Sequence, residues 1–257
     1  MITDWNLIDF NHVEVVSFDL GYTVLGPDTK QIAKLIHDHF NIVVAPATVL
    51  DADVRMRREY LHNGHANSAI QTTHFSEVVC GLLNYVYPLF KEAAIRPDVL
   101  ESFKKACQKH HDDNNFFNQL YHDAQAALEL LRKERVRMIV ISNAHGTLER
   151  DLQKYGLYHY FEHILDSSIE GVHKPNREIF TRAADRCGTK IENILHVGDN
   201  PTADVQGALV AGMQAALYDP IGMFPSVPGN APIYRNHLDL ADQLLISRDD
   251  AAAIKLN

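Results

Sequence analysis

The chain has few cysteines, and they form no recognisable motif. Its 257 residues include only Cys80, Cys107 and Cys187, which are far apart and make no C-x-x-C pair. Widely spaced cysteines in odd number are typical of reduced, mostly buried thiols, and not of a disulfide framework or a thiolate metal site. We therefore expect a reducing, cytoplasmic environment.

Basic residues are outnumbered, and long apolar runs are missing. The 24 Lys and Arg residues stand against 33 Asp and Glu residues, which gives a formal charge of −9. An acidic chain is poorly suited to nucleic-acid phosphates or anionic membranes, so we expect neither as a partner. No apolar run approaches the length of a membrane span, and residues 1–6 lack the pattern of a secretory signal. Nothing in the sequence indicates the oligomeric state.

Short apolar runs alternate with helical patterns through most of the chain. The runs predicted to be buried parallel strands are Val13–Asp19, Arg137–Ser142, His163–Leu165, Ile194–Asp199 and Gln214–Tyr218. The helical patterns between them are His122–Glu134, Leu148–Tyr155, Glu178–Cys187 and Thr202–Ala211, and Gly156, Gly188 and Gly212 follow three of their ends as C-caps often do. This alternation predicts an α/β fold with a Rossmann-like, mainly parallel sheet at its core.

The alternation is interrupted once, directly after the first strand. The helical patterns there are Lys30–Phe40, Pro46–His62, Ser76–Tyr87 and Asp98–His111. They predict an inserted all-helical domain at 26–118, with 1–25 and 119–257 forming the α/β core. Open parallel sheets bind ligands at the carboxyl ends of their strands, which is where this insertion would begin. A Pro- and Gly-rich loop, Asp219–Pro232, is predicted before a last helix at Leu238–Leu245.

Polar residues collect where several predicted strands end. They are Asp19 at the end of the first strand, Ser142 and Asn143 at the end of the second, Lys174 before the helix that follows the third, and Asp199, Asn200 and Asp204 at and after the end of the fourth. The carboxyl ends of parallel strands meet at one edge of a sheet, so these groups could converge. Paired carboxylates suit Mg²⁺, which proteins usually hold with one or two carboxylates and a substrate phosphate. Together with hydrogen-bond donors and a lysine, they suit phosphoryl transfer.

This set resembles the motifs of the haloacid dehalogenase superfamily. The first motif, D-x-D-x-T, is matched by Asp19–Thr23, which reads D-L-G-Y-T, except at its third place. The second, a Ser or Thr that ends a strand, is matched by Ser142, and the third, a lysine followed by proline, by Lys174. The fourth is matched by Gly198–Asp204, which reads G-D-N-P-T-A-D. The resemblance covers about Val13–Asp219 and implies a phosphatase-type hydrolase with a helical cap domain between its first two motifs.

The resemblance also implies a role for each matched residue. Asp19 would be the nucleophile that becomes an aspartyl-phosphate, with Ser142 and Lys174 completing the catalytic set. The implied metal ligands for Mg²⁺ are Asp19, Asp199 and the backbone carbonyl of Gly21. The implied phosphate-binding residues are Ser142, Asn143 and Lys174, and the supporting residues are Asp204, Asn200 and Thr23. The substrate would be a small phosphorylated metabolite.

Gly21 departs from the motif, and it leaves the activity open. In phosphatases of the superfamily, the residue at this place is the carboxylate that acts as general acid and base, and glycine cannot replace it. General acid–base catalysis is typically worth ~10²–10⁴-fold in rate. The protein could be a phosphatase whose acid comes from elsewhere or whose leaving group needs little protonation. It could instead be a catalytically impaired member that binds a phosphorylated ligand or a protein partner.

Two other hydrolase chemistries also fall within the resemblance. A phosphonatase-like hydrolase would use a lysine from the cap, and Lys30 and Lys34 lie early in the insertion without a pattern that marks either one. A haloacid dehalogenase is disfavoured, because the chain retains Asp199, a phosphatase residue that dehalogenases lack.

Overall fold

The structure is a computed structural model that describes residues 4–62 and 96–254, with side chains at 4–59 and 96–247. The predicted helix Ser76–Tyr87 and Cys80 lie outside these residues. The chain forms two compact units, Met1–Gly26 with Leu120–Asn257, and Pro27–Gln119. None of the described helices is long and apolar enough to cross a membrane.

A six-stranded parallel sheet is the centre of the first unit. The strands of the chain are β1 (Val15–Phe18), β2 (Leu25–Pro27), β3 (Phe117–Leu120), β4 (Arg137–Ser142), β5 (His163–Asp166), β6 (Ile194–Gly198), β7 (Gln214–Tyr218) and β8 (Ile233–Tyr234). The sheet has the order β5-β4-β1-β6-β7-β8, and each neighbouring pair is parallel. The predicted α/β fold and its five predicted strands are confirmed.

The described helices flank and connect these strands. They are α1 (Thr29–Phe40), α2 (Pro46–His62), α3 (Pro97–Asn114), α4 (His122–Lys133), α5 (Leu148–Lys154), α6 (Ser167–Glu170), α7 (Arg177–Cys187), α8 (Gly207–Ala211) and α9 (His237–Ile254), with short 3₁₀ helices at Trp5–Leu7, Phe10–His12, Tyr158–Tyr160, Ile191–Asn193 and Pro228–Asn230. Gly188 and Gly212 end α7 and α8 in the left-handed conformation that glycine adopts without strain. The helix predicted at Thr202–Ala211 is divided, because Pro201–Gln206 forms a π-helical turn before α8.

The core of the first unit explains why its strands have continuous apolar runs. Ile139 and Ile141 of β4 pack with Leu165 of β5, and Ile179 and Phe180 of α7 cover them. Because helices cover both faces of a parallel sheet, neither face needs polar side chains. Polar residues within such strands therefore need partners inside the protein.

The described part of the second unit is mainly helical. Its core includes Ile32 and Ile36 of α1, Val49 of α2 and Phe103 of α3, all fully buried or nearly so. Both points at which the chain passes between the units lie in a separate two-stranded sheet of β2 and β3. These short strands are absent from the sequence prediction. The cap role of this unit stays a prediction.

A buried polar network connects the loop after β1 to the start of α9. The Nε2 atom of His237 lies 2.9 Å from the carbonyl oxygen of Thr23, and its Nδ1 atom lies 3.1 Å from the hydroxyl of Tyr234. A carbonyl oxygen only accepts, so Nε2 carries the proton and the Tyr234 hydroxyl donates to Nδ1. The backbone N–H of His237 donates to Asp123 at 2.9 Å. Both ring nitrogens are thus used, and burial favours the neutral imidazole because it lowers the pKa of His237.

This network predicts a loss of stability in mild acid. Burial lowers the pKa of His237, whereas a histidine in an unfolded chain titrates near 6.5. Below that pH the unfolded chain binds a proton that the native state does not, so the free energy of unfolding falls by up to ~1.4 kcal/mol per pH unit until the native pKa is reached. We expect His237→Gln to have a flatter pH dependence of stability than the wild type between about pH 6.5 and pH 5. Urea denaturation measures this, with the exposed His159→Gln as control, and equal slopes for wild type and His237→Gln would contradict it.

Candidate active site

Lys174 lies at the centre of a buried charge cluster at the carboxyl edge of the sheet. Its ammonium group donates to Oδ1 of Asp19 at 2.8 Å, to Oδ1 of Asp204 at 2.6 Å, and to the backbone carbonyl of Ile141 at 2.7 Å. The side chain is only 2% exposed. A buried ammonium is costly unless its donors are satisfied, and these three acceptors match its three N–H groups. The structure thus brings together Asp19, Lys174 and Asp204, as the sequence predicts.

Asn143 holds the backbone of Lys174 in place. Its side-chain amide donates to the carbonyl oxygen of Lys174 at 3.0 Å and accepts from the N–H of Lys174 at 2.8 Å. The following peptide bond, to Pro175, is cis. Gly207 allows α8 to approach this loop, because an added Cβ would lie 2.9 Å from Cα of Pro175. The side chain of Asn143 therefore serves the loop, and its predicted contact with phosphate stays a prediction.

Ser142 ends β4 beside Asp19 and is almost fully buried. Its hydroxyl interacts with the carboxyl of Asp19 and lowers the pKa of that group slightly, against the larger effect of burial. The loop that follows is fixed by the end of β5. Asp166 accepts the N–H groups of Gly146 and Leu148 at 2.8 and 3.3 Å.

Sequence reasoning missed these supports from β5. Ser167 accepts the N–H of Ala144 at 3.0 Å, next to Asn143, so the side chains of Asp166 and Ser167 both shape the loop after Ser142. The signal was available, because Asp166 and Ser167 follow the third predicted strand as directly as Asn143 follows the second.

Asp204 is fixed through both of its oxygens. Oδ1 accepts from Lys174 and lies 3.3 Å from Nε2 of His196, while Oδ2 accepts the backbone N–H of Asn200 at 2.9 Å. The side chain of Asn200 caps the π-helical turn by accepting two of its backbone N–H groups at 2.9 Å each. A Cβ at Gly198 would lie 2.2 Å from the carboxylate of Asp204, so only glycine fits at that strand end.

Three carboxylates of this edge could hold a cation. One oxygen from each of Asp19, Asp199 and Asp204 lies within 4.8 Å of the others. Both oxygens of Asp204 already accept N–H groups, so Asp204 is the least suited of the three to bind a cation directly. Carboxylate oxygens are the ligands that Mg²⁺ prefers, so the residues present fit this metal. The carbonyl of Gly21 as a third ligand stays a prediction.

In the turn after Asp19, the residue in the left-handed conformation is not the glycine. Tyr22 adopts a left-handed φ of 58°, whereas the adjacent Gly21 does not. The N–H of Tyr22 donates to the carbonyl of Leu25 at 2.8 Å and closes the turn. A left-handed non-glycine residue costs about 1 kcal/mol. Within the described residues, the fully buried hydroxyl of Thr23 has no hydrogen-bond partner.

The pKa values of the two carboxylates that contact Lys174 are shifted in opposite directions. Burial raises the pKa of Asp19, and the neighbouring charge of Asp204 adds to this, so that attraction to Lys174 is outweighed. Burial also opposes ionisation of Asp204, but Lys174 and the bond from His196 lower its pKa well below the usual range. The pKa of Lys174 is raised, because its two carboxylate partners overcome its own burial. Asp204 is the firmly ionised partner, and Asp19 is the carboxylate that is costly to ionise.

Known proteins are similar to this chain in sequence. The phosphoserine phosphatase of Thermus thermophilus is 35% identical over 117 residues, which are 45% of this chain and 47% of that protein. The N-acylneuraminate-9-phosphatase of Rattus norvegicus is 24% identical over 226 residues, 81% of this chain and 83% of that protein. The chain thus spans about half the length of the Thermus thermophilus enzyme. The same holds for two further phosphatases that it matches.

Solved structures share the fold, and a family model covers most of the chain. The magnesium-bound hydrolase YfnB of Bacillus subtilis has a TM-score of 0.62 at 23% identity, over 90% of this chain and 98% of that one. The model of the haloacid dehalogenase-like hydrolases matches residues 13–212, from just before β1 to just after α8. This protein therefore belongs to the haloacid dehalogenase-like hydrolases.

Proposed function

We propose that this chain is a Mg²⁺-dependent phosphatase that hydrolyses a small phosphorylated metabolite in the cytoplasm. The observation that carries the proposal is the buried ammonium of Lys174, which joins the carboxylates of Asp19 and Asp204 beside Asp199. The similarity to proteins named as phosphatases supports it. Neither nucleic acid nor a membrane is part of the proposal.

Asp19 would act as the nucleophile. One of its carboxylate oxygens would form a bond to phosphorus while the bond to the ester oxygen breaks, and the departing alkoxide would take a proton from solvent water. A water molecule would then attack phosphorus and lose a proton to solvent while the bond between phosphorus and the Asp19 oxygen breaks, which releases inorganic phosphate and regenerates Asp19.

Ser142 and Lys174 would stabilise the transferring phosphoryl group. Both lie against Asp19, and oxyanions are best stabilised by donors that are already in place before the reaction. All three N–H groups of Lys174 have protein acceptors. A phosphoryl oxygen must therefore replace one of them, and the neutral carbonyl of Ile141 holds its donor least strongly. Bound Mg²⁺, held by Asp19, Asp199 and the carbonyl of Gly21, would supply positive charge beside the phosphoryl oxygens.

Gly21 favours a second candidate, a family member that binds a phosphorylated ligand and turns it over poorly. It removes the side chain that would protonate the leaving group. Of the two lysines considered for a phosphonatase-like reaction, Lys34 pairs with Asp38 on its own helix.

Hydrolysis of an activated aryl phosphate tests the first candidate. We expect p-nitrophenyl phosphate to be hydrolysed with Mg²⁺ and not with EDTA, because its leaving group needs little protonation. Asp19→Asn keeps the shape of the side chain and should lower kcat by more than ~10³-fold, since it removes the nucleophile. If wild type and Asp19→Asn are equally inactive over a broad panel of esters, the phosphatase proposal fails. A rise in melting temperature with inorganic phosphate would then identify the binding protein.

Substituting aspartate for Gly21 tests whether the missing general acid limits the rate. Gly21→Asp should raise kcat/KM for alkyl phosphates by ~10²-fold or more, and change aryl phosphate hydrolysis little, because only poor leaving groups need the acid. The backbone at Gly21 is not left-handed, so its conformation does not itself exclude a side chain. Gly21→Asn has the same size without the acid and should give no gain. Equal effects of the two variants would mean that the missing acid is not the limiting defect.

Neutralising Asp19 and neutralising Asp204 should change the free energy of unfolding in opposite directions. In EDTA at pH 7, Asp19→Asn should raise the free energy of unfolding, because the pKa of Asp19 is raised and its charge destabilises the native state. Asp204→Asn should lower it by about 3 kcal/mol, because it breaks a buried ion pair. Urea denaturation measures both. Losses of similar size in both variants would contradict the proposed division of roles.

A further inference from the structure

His196 is a buried polar residue of β6 that none of the sequence motifs includes. Its side chain is fully buried, and its ring meets Phe180 edge to face at 5.4 Å. Its Nδ1 atom lies 2.9 Å from the hydroxyl of Ser17, and its Nε2 atom lies 3.3 Å from Oδ1 of Asp204. Both ring nitrogens therefore have partners, and one partner belongs to the charge cluster.

The partners fix the tautomer of His196. Asp204 is ionised and can only accept, so Nε2 carries the proton and points at Oδ1. Nδ1 is then the acceptor, and the Ser17 hydroxyl donates to it. Ser17 and His196 are directly paired across the parallel β1–β6 ladder. The position of the Nε2–H donor is thus set by the sheet itself and not by a loop.

Oδ1 of Asp204 accepts hydrogen bonds from both His196 and Lys174. If the Nε2–H donor were removed, the carboxylate of Asp204 could rotate about its Cβ–Cγ bond and release the oxygen that holds the ammonium. Lys174 would then lose one of the two contacts that direct it towards Asp19.

We propose that His196 is a positioning residue, whose Nε2–H fixes Oδ1 of Asp204 so that Lys174 is held against the nucleophile Asp19. The inference rests on the proposed function, in which Lys174 stabilises the transferring phosphoryl group. It extends the site into β6 and β1, below the strand ends that carry the recognised motifs.

Two amide variants of His196 separate positioning from packing. In His196→Gln, the side-chain amide reaches about as far as Nε2 and can still donate to Asp204. In His196→Asn, the amide reaches only as far as Nδ1, so it keeps the contact with Ser17 and loses the donor to Asp204. We expect Asn to lower kcat for p-nitrophenyl phosphate by ~10–100-fold with KM within ~3-fold, and Gln to stay within ~5-fold of wild type, as loss of a hydrogen bond to a charged group predicts.

The tautomer provides a readout that does not depend on activity. In ¹⁵N-histidine spectra of the wild type, the signals that disappear in His196→Gln belong to His196. They should show a protonated Nε2 and a bare Nδ1 at pH 7. The opposite tautomer would overturn the proposal, because Asp204 would then face a nitrogen without a proton.

The possible kinetic results decide between the alternatives. Equal losses in the Asn and Gln variants, or a change in KM alone, would assign His196 to packing and overturn the positioning role. Full activity of His196→Asn would also overturn it. If His196→Asn does not fold, wild-type-like kcat in His196→Gln together with the expected tautomer supports the proposal, and a kcat loss above ~10-fold in that variant refutes it. An inactive wild type would instead refute the proposed function.

Discussion

The burial of one ammonium group governs the rest of this site. Lys174 is removed from water, and an unpaired charge in such a place would cost several kcal/mol. Its three acceptors come from the ends of β1 and β4 and from the turn after β6, which are adjacent strands of the sheet. The strand order β4-β1-β6 is therefore what makes the charge tolerable. A sheet with another order would separate the acceptors and leave the lysine without partners.

The sequence was most informative about the strands, because strands buried on both faces have continuous apolar runs. The sequence did not predict β2, β3 and β8, because each of these strands is too short to show a pattern. It also failed at Pro201–Gln206, where an apolar pattern at helical spacing predicted a regular helix. The side chains of Asn200 and Asp204 bind backbone N–H groups there. One of these bonds belongs to a carboxylate that Lys174 also holds, and such tertiary competition cannot be read from a local pattern.

The convergence of Asp19, Ser142, Lys174 and Asp204 could be predicted, since each follows or precedes a strand end that must lie at one edge. The residues beneath them could not. Ser17 and His196 lie within apolar strands, where a single polar residue does not change the predicted element. Their pairing depends on the register of β1 against β6, which the sequence does not state.

Gly21 is better explained by charge than by backbone freedom. The left-handed residue of the turn is Tyr22, so the backbone conformation at position 21 does not itself require glycine. The cluster already holds Asp19, Asp199 and Asp204 around one ammonium. A fourth carboxylate at position 21 would add like-charge repulsion to Asp19, whose ionisation is already opposed by burial and by Asp204. In the proposed mechanism, glycine would therefore make the ionised form of Asp19 less costly in the absence of substrate, and the site would lack a general acid at position 21.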